Sequence, residues 1–325
     1  VYAAYDPELD RRVAIKLLNA PLGQAEARLL REAQAMARVV HANVVTVIEV
    51  GQHLGQTYVV MEYLRGISLE RWPERRPDWR ATLRIYIEAG RGLAAAHRAG
   101  VIHRDFKPHN VMLVEGGSDD GRVKVLDFGL ARAAHTTPGP PSDAIPPSLT
   151  QPGAVMGTPA YMAPEQFTGA HVDERSDQFS FCVALHEALV GVLPFAGNSS
   201  LELMTAVCAG RLRPLPHNLA APPQLLAIVA RGLSTAPAAR WPTMDPLLAA
   251  LERVLHPRRL APRTLALGLT AALLLGFGAA ALTLEPTPVC EDLASRLDNV
   301  WDPARRAAVI EALLATGKPY AAATA

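Results

Sequence analysis

Five separated segments of this 325-residue sequence carry side chains that could do chemistry together. In chain order they are Val13-Ala14-Ile15-Lys16, His103-Arg104-Asp105-Phe106-Lys107-Pro108-His109-Asn110, Asp127-Phe128-Gly129, Gly157-Thr158-Pro159-Ala160-Tyr161-Met162-Ala163-Pro164-Glu165 and Ser176-Asp177-Gln178-Phe179-Ser180. Two carboxylates, a carboxamide and two lysines are the inventory that phosphoryl transfer asks for. That reaction needs little covalent help from a protein. The phosphates of a nucleotide must be held in line, their charge neutralised by metal ions and lysine, and an acceptor hydroxyl oriented by a carboxylate. Any one segment has a plain structural reading, Val13–Lys16 as an ordinary strand among them. All five in this order leave little room for an unrelated α/β domain.

The elements that must position these groups are legible from local pattern. Val13–Leu17 is a short apolar run carrying one lysine, a strand. Gln24–Arg38 is rich in Ala, Leu, Arg and Glu without Gly or Pro, a helix. Two further strands are predicted over Val44–Val50 and Thr57–Met61, separated by a turn at Gly51–Gly55. From Trp79 to Ala99 apolar residues recur at helical steps and Gly100 follows as a C-terminal cap. Val111–Val114 and Val123–Leu126 form a strand pair, and from Glu174 onward the soluble part is helical. The Arg-rich stretch Arg71–Arg80 is expected to be a solvated helix face. Thr136–Pro152 holds six prolines, which remove backbone donors and forbid regular structure, so a loop is expected there. A small mixed part followed by a helical one is a two-lobed α+β layout.

Composition narrows the partners. Half the residues are hydrophobic and 19% are charged, as in a well-cored globular protein. Net charge is +1, so no nucleic-acid partner is expected. The three cysteines form no CxxC pair, which argues against a disulfide framework or structural zinc, and Cys290 is expected to be unpaired. Thr264–Leu284, roughly 21 residues without a charge, could cross ~30 Å of hydrocarbon as a helix. Arg258, Arg259 and Arg263 precede it and Glu285, Glu291 and Asp292 follow. The excess of arginine marks the cytoplasmic side, so residues before 264 are expected inside the cell, with single-pass anchoring in the inner membrane. Asp302–Thr316 reads as an amphipathic helix ending at Gly317.

The five segments together resemble the eukaryotic-like (Hanks-type) Ser/Thr protein kinases of bacteria, over roughly residues 1–255. The resemblance implies the two-lobed protein kinase fold, with a small lobe over 1–64 and a helical lobe over 65–255. It further implies a juxtamembrane linker at 256–263, the membrane helix at 264–284 and an extracytoplasmic segment at 285–325. The last of these, around Asn299–Asp302 and Thr316–Tyr320, resembles the start of the outer part of myxobacterial-type membrane kinases. The implied cofactors are ATP and Mg2+ or Mn2+. The implied partners are proteins with Ser/Thr acceptors and, for autophosphorylation, a second copy of the chain.

Roles carry over position by position. Lys16 binds the α/β-phosphates and is fixed by a carboxylate, with Glu32 expected and Glu26 as the alternative on the same helix. Asp105 orients the acceptor hydroxyl, Lys107 reaches the γ-phosphate, and Asn110 and Asp127 hold metal. Val1, Ala14, Glu62, Leu64 and Met112 surround the nucleotide, with Glu62-Tyr63-Leu64 as the adenine hinge and Met61 gating the pocket behind it. Glu165 pairs with Arg240, and Asp177 anchors the backbone of the catalytic loop. Arg104, just before Asp105, implies control by phosphorylation, with Thr150 as the autophosphorylation site and Thr158 in the acceptor segment. Phe106 and His109 depart from the Leu and acidic residue usual at those positions. The glycine-rich loop belongs immediately before Val1, so the small lobe is expected to lack its first strand. This sequence by itself is expected to bind ATP poorly, and a membrane-bound scaffold without catalysis is the alternative reading.

Overall fold

The computed structural model describes residues 1–18, 24–54, 56–72, 77–115, 122–128, 159–256 and 300–318. The chain divides into two compact units, Val1–Arg258 and Arg259–Ala325. In the first unit β1 (Tyr2–Asp6), β2 (Arg11–Leu18), β3 (Val47–His53) and β4 (Gln56–Glu62) form an antiparallel sheet in the order β1-β2-β4-β3. Strand alternation puts Ala14, Lys16 and Leu18 on one face of β2. Ala14 and Leu18 pack there with Val59 and Met61 of β4 and Ala33 of helix α1 (Gln24–Ala37). Lys16 is therefore held between two core residues, its side chain only 18% exposed.

Two details of the small lobe differ from the sequence expectation. Val44 and Val45 do not join β3. Val44 forms a parallel bridge with Val125, and Val45 N–H donates to the Val125 carbonyl at 3.0 Å. Asn43 draws the segment there, because its Nδ2 donates to the Val123 carbonyl at 2.9 Å and its own carbonyl accepts the Val125 N–H. Gly51 lies within β3 rather than in a turn. It faces Tyr58 across the ladder, where a Cβ would lie 2.4 Å from the phenol oxygen, so the glycine makes room for the ring.

The helical lobe carries a second sheet, β5 (Gly66–Ser68), β6 (Val111–Val114) and β7 (Arg122–Val125), in that order. Helix α2 (Trp79–Arg98) starts at Asp78, whose carboxylate accepts the Ala81 N–H at 2.7 Å. It stops before Gly100, which takes the left-handed φ of +74° that glycine tolerates. Arg71 sits in the turn after β5, and Asp78 is extended. Among the described residues of the Arg-rich stretch, Trp72 is in a 3-10 turn and only Trp79 and Arg80 lie in an α-helix. Then follow α3 (Pro164–Thr168), α4 (Glu174–Val190), α5 (Ser200–Cys208), α6 (Pro223–Gly232) and α7 (Met244–Leu255).

Helix α4 is buried on every side from Ser176 to His186, which is why its sequence shows no apolar stripe. Its polar residues are satisfied internally: Gln178, for example, bonds the Trp241 N–H at 2.9 Å. Phe179 and Phe181 of α4 and Tyr86 of α2 are each at most 2% exposed, and burying rings of this kind stabilises by roughly 2–3 kcal/mol apiece. The unit is thus a two-lobed α+β fold.

In the second unit, α8 (Pro303–Ala315) is capped by Asp302, which accepts the Arg305 N–H at 2.7 Å, and Gly317 follows at φ +62°. Among the described residues no helix is long and apolar enough to cross a membrane. The apolar stretch Thr264–Leu284 lies outside them, as do Gly157, Thr158 and the proline-rich segment with Thr150.

Candidate active site

The loop between α2 and β6 is shaped by a single buried carboxylate. Asp177, fully buried on α4, accepts the His103 N–H through Oδ2 and the Arg104 N–H through Oδ1, both at 2.7 Å. Its Oδ2 also accepts His97 Nε2–H at 2.7 Å. Asp177 therefore anchors the loop backbone, as its position in the sequence implied. Between these contacts Arg104 adopts φ +64°, a conformation rare for a residue with a Cβ.

The tautomer of His103 follows from its neighbours. Nε2 lies 2.8 Å from the Leu126 carbonyl, which only accepts, while Nδ1 receives the Asp105 N–H at 3.3 Å. The ring is therefore the neutral Nε2–H form, and burial pushes its pKa below the ordinary range. His103 contacts the rings of Phe106 and Phe128 at 5.7 and 4.6 Å, and Phe106 in turn meets Phe181 at 5.7 Å. Phe106 is thus a core residue, which explains why a bulkier ring is accommodated there.

The chemistry-bearing side chains converge on this loop. Lys107 Nζ lies 2.9 Å from Asp105 Oδ2. Asn110 Nδ2 donates to the Asp105 carbonyl at 2.9 Å and to Asp105 Oδ2 at 3.3 Å. With Nδ2 committed, Oδ1 is the atom of Asn110 available to a cation. Leu126 N–H donates to the Asn110 carbonyl at 2.8 Å, which sets Asp127 beside Asn110. Lys16 Nζ meets Asp127 Oδ1 at 2.7 Å across the cleft. Residues 16, 105, 107, 110 and 127 are therefore one connected group.

The donor set fits a hard divalent cation: one carboxylate and one carboxamide oxygen suit Mg2+ or Mn2+. Among the described residues no cluster of three or more His, Cys, Asp or Glu could hold a metal alone. Such a cation would draw its remaining ligands from phosphate and water.

The expected pairing of Lys16 with Glu32 is not what the structure has. Glu32 Oε1 instead meets Arg104 Nη1 at 3.1 Å, and Lys16 takes Asp127. The reason is the placement of α1, which turns Glu32 toward the catalytic loop. A cavity of about 80 Å3 beside this contact is lined by Glu32 and Met36 of the helix and by Ile102, Arg104 and Phe128. The side chain of the alternative partner, Glu26, lies outside the described residues.

The nucleotide-lining candidates divide. Ala14 and Leu64 pack on the small-lobe core, and Met112 stands opposite Lys124 in the β6–β7 ladder. Val1 is 74% exposed. Met61, 8% exposed, is part of the small-lobe core. Glu62 has a second duty that the sequence did not suggest. Its Oε1 receives Lys124 Nζ at 2.5 Å and the Thr46 N–H at 2.7 Å. Burial alone would raise its pKa, but these bonds hold the carboxyl below its usual range. Lys124 also donates to the Val44 carbonyl at 3.2 Å, joining hinge to β7. A lysine inside the apolar run Val123–Leu126 was the available signal.

The acceptor-side segment is fastened to the large lobe. Glu165 pairs with Arg240 through two bonds of 2.7 and 2.8 Å and accepts Ser176 Oγ–H at 2.6 Å. Arg240 is 1% exposed, so the expected ion pair is a buried one. An open depression of about 490 Å3 beside α5, lined by Leu201, Glu202, Thr205 and Arg211, contains none of these residues.

Known proteins resemble this chain in sequence and fold. Residues 1–249 match the family described as the protein kinase domain. The chain is 35% identical to the serine/threonine-protein kinase pkn3 of Myxococcus xanthus, covering 80% of this chain and 48% of that one. It is 37% identical to PksC of Streptomyces coelicolor, covering 86% and 51%. It is 39% identical to PknL of Mycobacterium bovis, covering 62% and 49%. The chain thus spans about half the length of the curated relatives it matches. Among solved structures it resembles the PknI kinase domain of Mycobacterium tuberculosis, with a TM-score of 0.55 and 26% identity over 78% of this chain and 89% of that one. The chain belongs to the protein kinase domain family, whose members use ATP and a divalent metal, and its relatives are bacterial Ser/Thr kinases.

Proposed function

We propose that this protein transfers the γ-phosphoryl group of ATP to serine and threonine hydroxyls of proteins, itself included. The observation that carries this reading is the connected group of Asp105, Asn110 and Asp127, with Lys16 reaching Asp127 from the opposite lobe. In the transfer, the acceptor oxygen forms a bond to the γ-phosphorus, the bridging P–O bond to the β-phosphate breaks, and ADP leaves. Asp105 orients the acceptor and takes its proton, while Lys107, 2.9 Å away, faces the transferred group. Lys16 supplies positive charge to the α- and β-phosphates. Asn110 and Asp127 would hold Mg2+ or Mn2+, which neutralises phosphate charge. Lys16, Asp105, Asn110 and Asp127 are all present, which argues against the alternative of a non-catalytic scaffold, a reading favoured only by the expected lack of the glycine-rich loop.

The same reading covers control and location. Arg104 is held by Glu32 at 3.1 Å. A phosphate on Thr150 or Thr158 would bring up to two negative charges to compete for that guanidinium. Glu32, once released, becomes available to Lys16. Residues 264–284 would cross the inner membrane once, leaving residues 1–263 on the cytoplasmic side.

The deciding experiment is γ-phosphate transfer to a basic protein acceptor by the full-length protein, with Asp105→Asn alongside. The unaltered protein should phosphorylate and the variant should be reduced on the order of a thousandfold, the share that positioning and proton transfer can supply. Equal labelling would remove the assignment. In the same preparations, deletion of 264–284 should move the protein from the membrane to the soluble fraction, and retention in the membrane would refute the span.

A further inference from the structure

We propose that Gln166 is a positioning residue for phosphoryl transfer, locking the peptide that carries Asp105 to the acceptor-docking segment. The inference rests on the kinase reading above. Gln166 Oε1 accepts the Ala163 N–H at 2.9 Å, and its Nε2 donates to the Arg104 carbonyl at 2.8 Å. The orientation of the amide is fixed by its partners: a backbone N–H only donates and a carbonyl only accepts, so a flipped amide would lose both bonds.

The Arg104 carbonyl is a consequential place to hold. It shares a rigid peptide plane with the Asp105 N–H, so whatever fixes that oxygen fixes the origin of the Asp105 side chain. The other hold on the plane is the Asp105 N–H to His103 Nδ1 bond, at 3.3 Å the longer of the two. On the preceding plane, Asp177 takes the Arg104 N–H at 2.7 Å. Arg104 sits between the two holds at φ +64°, a backbone conformation that persists only where its surroundings impose it. Asp177 imposes it from one side and Gln166 from the other.

Gln166 is itself well placed to act as a reference. The preceding residue, Glu165, is pinned to buried Arg240 and Ser176, which fixes the short helix Pro164–Thr168 on the large lobe. Through Ala163 the same carboxamide is bonded to the segment that docks the acceptor. Order in that segment and direction at Asp105 are therefore joined through one side chain.

Two substitutions in the full-length protein test this. Gln166→Glu keeps an acceptor for Ala163 but sets a carboxylate oxygen against the Arg104 carbonyl. Gln166→Met keeps the length and removes both bonds without adding repulsion. Both should lower kcat for a protein acceptor on the order of tenfold, Gln166→Glu more, as expected when a reacting group is slightly misplaced. KM for ATP should be unchanged. Amide hydrogen exchange should quicken in the peptide 103–107 but not in 176–186, a split that general loss of stability would not produce. Unaltered kcat in either variant overturns the proposal, as does unaltered exchange at 103–107. If the unaltered protein transfers no phosphate, the kinase reading is what has failed, and the exchange measurement still decides whether Gln166 holds the Arg104 peptide.

Discussion

The two halves of the cleft are held by different kinds of interaction. On the large-lobe side, the loop carrying Asp105 hangs from backbone groups bonded to Asp177, which is fully buried, and the neighbouring segment from the enclosed Glu165–Arg240 pair. On the small-lobe side, Glu32 and Arg104 are each about a third exposed, at 31% and 34%, and Lys16 has taken a carboxylate other than the one expected. A buried carboxylate bonded to two amides has no competitor, because leaving would strand every partner away from water. Partly exposed ion pairs exchange partners at little cost, since water and salt substitute for either member. The difference teaches that the loop carrying Asp105 is built in, whereas the ion pairs above it, Lys16 with Asp127 and Arg104 with Glu32, are of the kind that exchange partners at little cost.

The sharpest way to break that comparison is to remove the buried anchor. Asp177→Ala leaves the N–H groups of His103 and Arg104 and the ring of His97 without their acceptor. The expected loss is about 3–5 kcal/mol of unfolding free energy, the range for stripping one partner from a buried charged network. Urea unfolding of the purified protein measures it. A loss under about 1 kcal/mol would mean the loop does not depend on Asp177, and the contrast between the lobes would disappear.

Much of this was legible in the sequence because it is local or contiguous. The run His103–Asn110 names its own chemistry, and α2 and α8 announce their ends through Asp78, Gly100, Asp302 and Gly317. What escaped was set by tertiary packing. Which carboxylate meets Lys16 depends on where α1 lies, and no spacing along the chain encodes that. Val44 and Val45 are apolar and β-branched, as any strand would be, and only Asn43 directs them to β7. Helix α4 is enclosed on all sides, so the usual periodic signal is missing. Gln166 and Lys124 are single polar residues whose partners lie 62 positions away, Arg104 and Glu62 respectively.

A second, smaller effect is carried by protons. Burial lowers the pKa of His103 and His186, and of His41 where Arg98 adds to the effect, while the opposing pull of Asp177 on His103 is outweighed. Each ring is favoured neutral in the fold, so the unfolded chain binds more protons below its own pKa of about 6.5. The stabilisation is present above that value and is lost as pH falls toward the folded pKa. Stability should therefore decline from pH 7 to pH 5, by up to about 1.4 kcal/mol per pH unit for each of the well-buried rings His103 and His186, and by much less for His41, which water screens. Urea midpoints across that range provide the check. A flat or rising profile on acidification would show that these rings are not held neutral, and would weaken the picture of a fixed lower half.

The smallest effect on stability belongs to the switchable half. Glu32→Gln removes the charge that faces Arg104, and because the pair is a third exposed the unfolding free energy should change by less than about 1 kcal/mol. Activity should respond far more than stability. If loop phosphate competes with Glu32 for Arg104, unaltered protein should gain activity as Thr150 becomes phosphorylated, and Thr150→Ala should stay at the unphosphorylated level. Glu32→Gln should no longer show the full gain, having no carboxylate to hand over to Lys16. Time courses of autophosphorylation and acceptor labelling on the three proteins separate these outcomes. Full activity of Thr150→Ala, with no phosphate on its peptide, would end the competition argument at that residue. A stability loss near 3 kcal/mol in Glu32→Gln would instead make the Arg104 contact as fixed as the Asp177 anchor, and the two halves would no longer differ in kind.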